Sequence, residues 1–198
     1  MEHIKAPHKL FVENSTQDDN SVVQLTQKKL DELKIFQGDT VILKGKLRKH
    51  TVCIAVASDS VDNEQIGMNR VVRNNLRVRH GDLIQIHSCP DIPNGKRIHI
   101  LPFKDCLEGV DRNFLTRSLV MEYFKDCYRP VHKGDTFIVR GNFLAVEYRV
   151  MEVDPGDMCI VTPDTVLFDE GEPLEREDIE KMDGISYDDI GGCRKQMA

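Results

Sequence analysis

Four arginines, Arg70, Arg73, Arg77 and Arg79, fall within ten residues in the first half of the chain. Guanidinium groups at this density can bind phosphates, so this basic face is a candidate nucleic-acid site. Residues 58–92, however, contain no Phe, Tyr or Trp, whereas single-strand binders stack bases on aromatic side chains. Three of the arginines also stand three or four residues apart, as on one helix face, where they would pair with carboxylates or a neighbouring domain. The second interpretation is favoured.

No motif for catalysis accompanies these arginines. The spacing from Gly38 to Gly45 does not fit a phosphate-binding loop, and Lys46 is followed by Leu47 rather than Ser or Thr. The seven histidines do not fall at metal-ligand spacing, and no Gly-x-Ser-x-Gly turn offers a nucleophile. The six cysteines include no Cys-x-x-Cys pair, which favours reduced thiols over a zinc site or a disulfide framework. The sequence therefore predicts no metal, no cofactor and no enzymatic activity in these residues.

The charge of the chain is concentrated in its C-terminal part. Ten acidic residues against two basic ones lie between positions 169 and 189, whereas the net charge of the whole chain is −6. The N-terminus has no signal-peptide pattern, and no apolar run approaches the ~18 residues of a spanning helix. We therefore expect a cytosolic or nuclear location and an acidic, solvated tail.

A repeated Gly-Asp pair organises the elements that carry these residues. The copies are QGDTVILKG (37–45), HGDLIQIH (80–87) and KGDTFIVRG (133–141), and each precedes a run of strand formers. Glycine tolerates a positive φ and the aspartate can bind a nearby backbone N–H, so each pair predicts a turn that begins a strand. The third copy is the looser match in sequence. A fourth pair, Gly156-Asp157, follows Pro155 and is interpreted as an ordinary turn.

The intervening pattern predicts a mainly β protein with short helices. Strands are expected at 9–14, 22–25, 40–45 and 51–57, with a short helix that Thr26 caps and a helical turn at 69–74. The segment CPDIPNGKR (89–97) has the composition of a connector. Beyond it, strands are expected at 98–103 and in 136–168, after the longest helix of the chain, capped by Asp111 or Asn113. From Glu170 onward the sequence predicts a solvated linker.

The segments DNSVVQLTQKKLDELKIFQGDTVILKGK, GMNRVVRNNLRVRHGD and GKRIHILP together resemble the N-terminal domain of the valosin-containing protein family of AAA ATPases, also called transitional endoplasmic reticulum ATPases. The resemblance runs from Lys9 to residue 196. It implies a double-psi β-barrel followed by a smaller β-barrel and an acidic linker. The predicted divisions are an arm at 1–8, the first barrel at 9–91, a connector at 92–97, the second barrel at 98–171, and at 172–198 the linker and first residues of an absent ATPase domain.

The same resemblance implies a function in recruiting adaptors. In the family this region binds adaptors with ubiquitin-like domains or short linear or helical motifs, and so brings ubiquitylated clients to a segregase in endoplasmic-reticulum-associated degradation and membrane fusion. ATP and magnesium belong only to full-length relatives, and this chain alone is expected to be monomeric and without catalysis. The implied location is cytoplasmic and nuclear, peripheral to the endoplasmic reticulum. The alternatives left open are a nucleic-acid-binding barrel that uses the Arg70–Arg79 face and, as a third class, a barrel enzyme.

Three sets of positions follow from the resemblance. Departures from the family pattern are Gln37 and Leu144, each in place of a usual Arg, and Asn94 in place of a usual Tyr. Contacts with the ATPase ring would come from Arg79 and Arg140. The implied adaptor groove, between the two barrels, consists of Asp19, Val22, Phe36, Ile54, Val56 and Tyr128.

Overall fold

The computed structural model describes residues 8–109, 117–141 and 143–182. The predicted N-terminal arm up to residue 7, the predicted helix cap at Asp111 or Asn113, and the segment from 183 onward lie outside the described residues. The described part is mainly β with short helices, as predicted.

The first unit is a closed six-stranded barrel in the order β1-β5-β2-β4-β3-β6. Two strand pairs, β1 with β5 and β2 with β4, are parallel, whereas the other strand pairs of the barrel are antiparallel. This arrangement is consistent with a double-psi barrel. Its core is made of apolar side chains from all six strands and from both helices. The elements are β1 (Lys9–Asn14), β2 (Val22–Leu25), α1 (Gln27–Leu33), β3 (Thr40–Lys44), β4 (His50–Ala57), β5 (Gln65–Met68), α2 (Arg70–Leu76) and β6 (Leu83–Ser88).

The two helices of the barrel begin and end in the same way. Thr26 caps α1 by accepting a hydrogen bond from the Lys29 amide, as predicted, and Asn69 caps α2 through the Val72 amide. Each helix ends at a residue in the left-handed region, Lys34 for α1 and Arg77 for α2. The predicted helix face of arginines therefore does not extend to Arg77, because the chain leaves the helix there.

The second unit packs a four-stranded sheet, in the order β12-β7-β10-β9, and a two-stranded sheet of β8 and β11 around one apolar core. Its α3 is longer than the other described α-helices by one residue. The strand pattern at 158–168 is broken by a turn in which the Thr165 amide donates to the Thr162 carbonyl at 3.0 Å. The elements are β7 (Arg97–Pro102), a 3₁₀ turn (Lys104–Leu107), α3 (Arg117–Phe124), β8 (Pro130–His132), β9 (Thr136–Gly141), β10 (Leu144–Asp154), β11 (Met158–Ile160), β12 (Val166–Phe168) and α4 (Arg176–Met182).

The three Gly-Asp pairs form the same turn in both units. Gly38, Gly81 and Gly134 have φ values of 92°, 90° and 92°. Each aspartate carboxylate accepts a hydrogen bond from the amide three residues earlier, at 2.9, 2.8 and 2.9 Å respectively. The third copy, the looser match in sequence, is therefore equivalent to the others in geometry. The Gly-Asp pair occurs at all three turns because a side-chain acceptor and a positive φ are both needed to close the turn.

The prediction of a solvated linker from Glu170 onward is wrong for the segment 172–182, which we call the strap. Leu174 pairs with Phe103 through two main-chain hydrogen bonds, its amide donating to Pro102 and its carbonyl accepting from Lys104. Arg176 binds the carboxylates of Asp105 and Glu147, and Ile179 in α4 is buried. The acidic composition masked the buried Ile179 and the basic Arg176, and it is Arg176 and the Leu174 backbone that hold the strap on the second unit.

Candidate protein-binding groove between the two units

The barrel wall of the implied groove begins where β2 and β4 run side by side. Val22 pairs with Ile54 in parallel register, and the Ile54 amide donates to the Ser21 carbonyl at 2.7 Å. Asp19 lies just before β2, and its carboxylate accepts a hydrogen bond from the Ser21 amide at 2.8 Å. The structure therefore brings Asp19, Val22 and Ile54 together where the start of β2 lies beside the middle of β4.

Phe36 stands beside the same strands on the first Gly-Asp turn. This turn is bound to β4 because the Gly38 amide donates to the Ala55 carbonyl at 2.8 Å and the Ala55 amide donates to the Asp39 carbonyl at 3.0 Å. The Ala57 amide also donates to the side-chain oxygen of Gln37 at 3.1 Å. The Phe36 side chain is 78% exposed, so it is not a core residue. Val56, two residues from Ile54 on the same strand face, is half-buried like Ile54.

The opposite wall comes from the second unit and carries Tyr128. Its side chain is 53% exposed and its φ is +49°, an uncommon backbone conformation for a bulky residue. The next residue, Arg129, reaches across to the barrel and donates to Asp19 at 2.8 Å and to the Ser21 hydroxyl at 3.0 Å. The same guanidinium lies 3.9 Å from the centroid of the Tyr123 ring. Arg129 therefore connects the barrel wall to the residue beside Tyr128.

Asn94, one of the three predicted departures from the family pattern, lies beside β11. It forms a parallel bridge with Ile160, and Ile160 pairs with Pro130, two residues after Tyr128. The Asn94 side chain is exposed, and its backbone is fixed because the Gly95 amide donates to Ile160 and the Ile160 amide to Pro93.

Arg79 and Arg140, the two arginines of the implied ring contact, lie on different units. Arg79 is exposed and lines a cleft of about 720 Å³. Other residues of the cleft come from α2, β10 and the strap, including Arg73, Glu147 and Arg176. Arg140 is exposed further along β9, opposite Ala145, and half-buried Leu144 follows at the start of β10.

A buried carboxylate lies where β4 of the barrel meets β8 and β9. Asp135 of the third Gly-Asp turn accepts a hydrogen bond from the Thr51 hydroxyl of the barrel at 2.8 Å. Burial raises the pKa of Asp135 to about 6, although its hydrogen bonds and the nearby His132 and Arg149 oppose that rise. The His50 and His132 rings meet edge to face nearby, and burial lowers the pKa of His50. This junction is thus sensitive to protonation.

Among residues 8–109, 117–141 and 143–182, no three His, Cys, Asp or Glu side chains are grouped so that they could hold a metal ion. The described cysteines are free thiols, and those at 53 and 159 are buried. No helix in the described part of the chain is long and apolar enough to cross a membrane.

Sequence reasoning missed three residues that join the two units: Arg129, Asn20 and Asn75. Asn20 donates to the Tyr123 hydroxyl and the Ile138 carbonyl, and Asn75 binds the backbone of Thr136. These partners are more than sixty residues apart in sequence, and no local periodicity marks such a contact. The position of Arg129 directly after Tyr128 was the one feature of the sequence that could have indicated its contact with the barrel.

Comparison with known families assigns both units. The family model described as "Cell division protein 48 (CDC48), N-terminal domain" matches residues 9–92. The model described as "Cell division protein 48 (CDC48), domain 2" matches residues 117–173. The first match spans the closed barrel and the second spans most of the unit that carries Tyr128, so the two models together cover most of the chain in the expected order.

Proposed function

Because the chain belongs to the CDC48 family of AAA ATPases as its N-terminal region, we propose that it recruits adaptor proteins through the groove between its two units. The groove residues are Asp19, Val22, Phe36, Ile54, Val56 and Tyr128. The observation that carries the proposal is the contact of Arg129, the residue after the exposed Tyr128, with Asp19 of the barrel at 2.8 Å, together with the exposed Phe36 ring on the turn bound to β4. Exposed aromatic side chains beside a polar rim are typical of the anchor positions of protein interfaces.

The adaptors would be proteins with ubiquitin-like domains or short linear or helical motifs. Through them the chain would bring ubiquitylated clients to a segregase, in endoplasmic-reticulum-associated degradation and membrane fusion. Its place would be the cytoplasm and nucleus, at the periphery of the endoplasmic reticulum. Arg79 and Arg140 would contact the ATPase ring of a full-length relative, to which ATP and magnesium also belong. The isolated chain would be monomeric and would not catalyse a reaction.

The test is a calorimetric titration of the chain with a folded ubiquitin-like adaptor domain. Tyr128→Ala should raise the Kd about 30-fold, because truncating an interface aromatic often costs about 2 kcal/mol. The melting temperature should change little, because the ring is half exposed. Phe143→Ala is the matched control: Phe143 is also an exposed aromatic with a positive φ, but it lies at the turn before β10, away from the junction.

Two outcomes would overturn the proposal. One is an absence of saturable adaptor binding together with tight binding of short RNA that weakens steeply with salt, which would favour the Arg70–Arg79 face. The structure supports the adaptor over RNA, because two of these guanidinium groups already donate hydrogen bonds to other groups of the barrel. Arg73 donates to the Asn14 side chain and the Met68 carbonyl, and Arg77 donates to the Asn74 carbonyl. The second outcome that would overturn the proposal is a loss of folding stability in Tyr128→Ala that equals its loss of adaptor affinity.

A further inference from the structure

Strand β9 is the edge of its sheet, and the barrel binds its outer side through two asparagine side chains. The Asn75 side chain donates to the Thr136 carbonyl at 3.0 Å and accepts from the Thr136 amide at 2.7 Å. The Asn20 side chain donates to the Ile138 carbonyl at 3.1 Å. These backbone groups face away from β10, so side-chain amides take the place that a further strand would occupy. We call Asn20 and Asn75 the amide lock.

Both asparagines are held firmly on the barrel side. Asn75 lies in the last turn of α2, next to the fully buried Leu76. Asn20 accepts a hydrogen bond from the side chain of Asn69 at 2.9 Å, and the same Asn69 caps α2 through the Val72 amide. The two members of the lock are therefore connected to opposite ends of one helix. A short helix fixed at both ends keeps their spacing constant.

One member of the amide lock, Asn20, lies beside the barrel wall of the groove. Asn20 immediately follows Asp19 of the barrel wall. Its side chain also donates to the Tyr123 hydroxyl at 3.2 Å, and the Tyr123 ring packs under Arg129, which follows Tyr128. A rotation of the second unit against the barrel would break these directional contacts. Apolar packing alone would resist such a rotation less, because hydrophobic contact has no preferred direction.

We propose that Asn20 and Asn75 are positioning residues that fix the relative orientation of the two units and so the separation of Asp19 from Tyr128. The role of that separation in adaptor affinity rests on the proposed function above; the orientation itself does not. The bond pattern around Thr136 supports the proposal. One side chain meets both main-chain groups of a single residue, and its oxygen also accepts from the Thr136 hydroxyl at 3.1 Å. Such a two-point contact permits one register and one angle between α2, which carries Asn75, and β9, which carries Thr136.

The decisive variant is Asn75→Asp in the full chain. An ionised carboxylate still accepts from the Thr136 amide, but it cannot donate to the Thr136 carbonyl and repels it instead. Protonation at low pH restores an O–H donor and with it the shape and pattern of the amide. Asn74→Asp is the matched control, since Asn74 precedes Asn75 in the same helix and is exposed.

Residual dipolar couplings of backbone amides would report the orientation of the two units at pH 7.0 and pH 4.5. We expect Asn75→Asp to change the inter-unit orientation at pH 7.0 and to shift partly back towards the wild-type orientation at pH 4.5, where a fraction of the introduced carboxyl, with an ordinary pKa of about 3.9, is protonated. Wild type and Asn74→Asp should have the same orientation as each other at each pH. If Asn75→Asp keeps the wild-type orientation at both values, the proposal is overturned.

A separate affinity measurement tests whether the orientation of the two units affects adaptor binding. At pH 7.0, Asn75→Asp should bind the ubiquitin-like adaptor domain at least fivefold more weakly than Asn74→Asp does. A changed orientation with unchanged affinity would overturn the positioning role in binding. If wild type itself shows no adaptor binding, the proposed function fails, whereas the couplings still decide the orientation. Should Asn75→Asp unfold at pH 7.0, Asn20→Asp provides the same comparison, because it loses the donor to Ile138 and Tyr123.

Discussion

At the residue scale, Asp135 makes the junction of the two units respond to pH. The folded protein raises its pKa from the ordinary value of 3.8 to about 6, chiefly through burial. The folded state therefore binds a proton more tightly than the unfolded state does. The stability that this proton gives is complete below about pH 4 and is lost as the pH rises through about 6.

Asp135→Asn should remove this loss. The asparagine cannot ionise, and its side chain can still accept from the His132 amide while its NH₂ group donates to the Thr51 hydroxyl. Between pH 4 and pH 7 the free energy of unfolding of wild type should fall by about 1–3 kcal/mol relative to that of the variant. Urea unfolding at four pH values in this range would measure the difference, with exposed Asp91→Asn as control. Because His50 titrates in both proteins, its contribution cancels. Parallel curves for wild type and Asp135→Asn would contradict the prediction.

Asn94 gives a second prediction at the residue scale. Asn94→Tyr should tighten binding of the ubiquitin-like adaptor domain about fivefold, since a new aromatic contact at an interface is worth about 1 kcal/mol. The backbone around this exposed position is already held by the hydrogen bonds with Ile160, so folding should not change. Calorimetry with Asn74→Tyr, an exposed position on α2, supplies the comparison. Equal affinity in the Asn94 and Asn74 variants would place residue 94 outside the groove.

At the element scale, the three Gly-Asp turns should respond alike to a side chain. A Cβ at Gly38 or Gly81 meets no atom within 4 Å, and at Gly134 it meets only the end of the Arg149 side chain. The cost of Gly→Ala is therefore backbone strain at a φ near +90°, about 1–2 kcal/mol at each site. Thermal unfolding of the three variants would measure it. Gly→Asn at the same positions should cost less, because asparagine tolerates positive φ better. A much smaller effect at Gly134 than at Gly38 would mean that the third turn is not equivalent.

These turns also show how far local sequence determines the elements. A glycine, an aspartate and a following run of strand formers suffice, because every group that closes the turn lies within four residues. The cap at Thr26 was predictable for the same reason. The contacts of Arg129 with Asp19 and of Asn75 with Thr136 were not, because each joins residues far apart in the chain. The strap was mispredicted because acidic composition outweighed two anchors, Arg176 and Ile179, whose partners lie in other elements. Exposure of Phe36 and Tyr128 could not be distinguished from burial without the fold.

At the scale of the whole molecule, the strap should behave as a separately detachable part. Its α4 has seven residues, too few to be stable alone in water, so its helical state depends on docking. Ile179 supplies the buried apolar contact, and Arg176 lies 4.4 Å from the centroid of the Phe103 ring while it binds two carboxylates. Removing either anchor should release the helix and leave both units folded.

Ile179→Ala tests this dependence. A large-to-small change in a core costs about 2–5 kcal/mol, but here the loss is limited to the free energy that docks the strap, because the helix can detach. We therefore expect about 2 kcal/mol and a loss of amide hydrogen-exchange protection confined to 174–182 and to the Lys104 amide, which donates to Leu174. Glu177→Ala, an exposed position in the first turn of α4, should change protection little. Loss of protection throughout β7 and β10 would show instead that the strap is an integral part of the second unit's core, and unchanged protection would show that Ile179 does not anchor it.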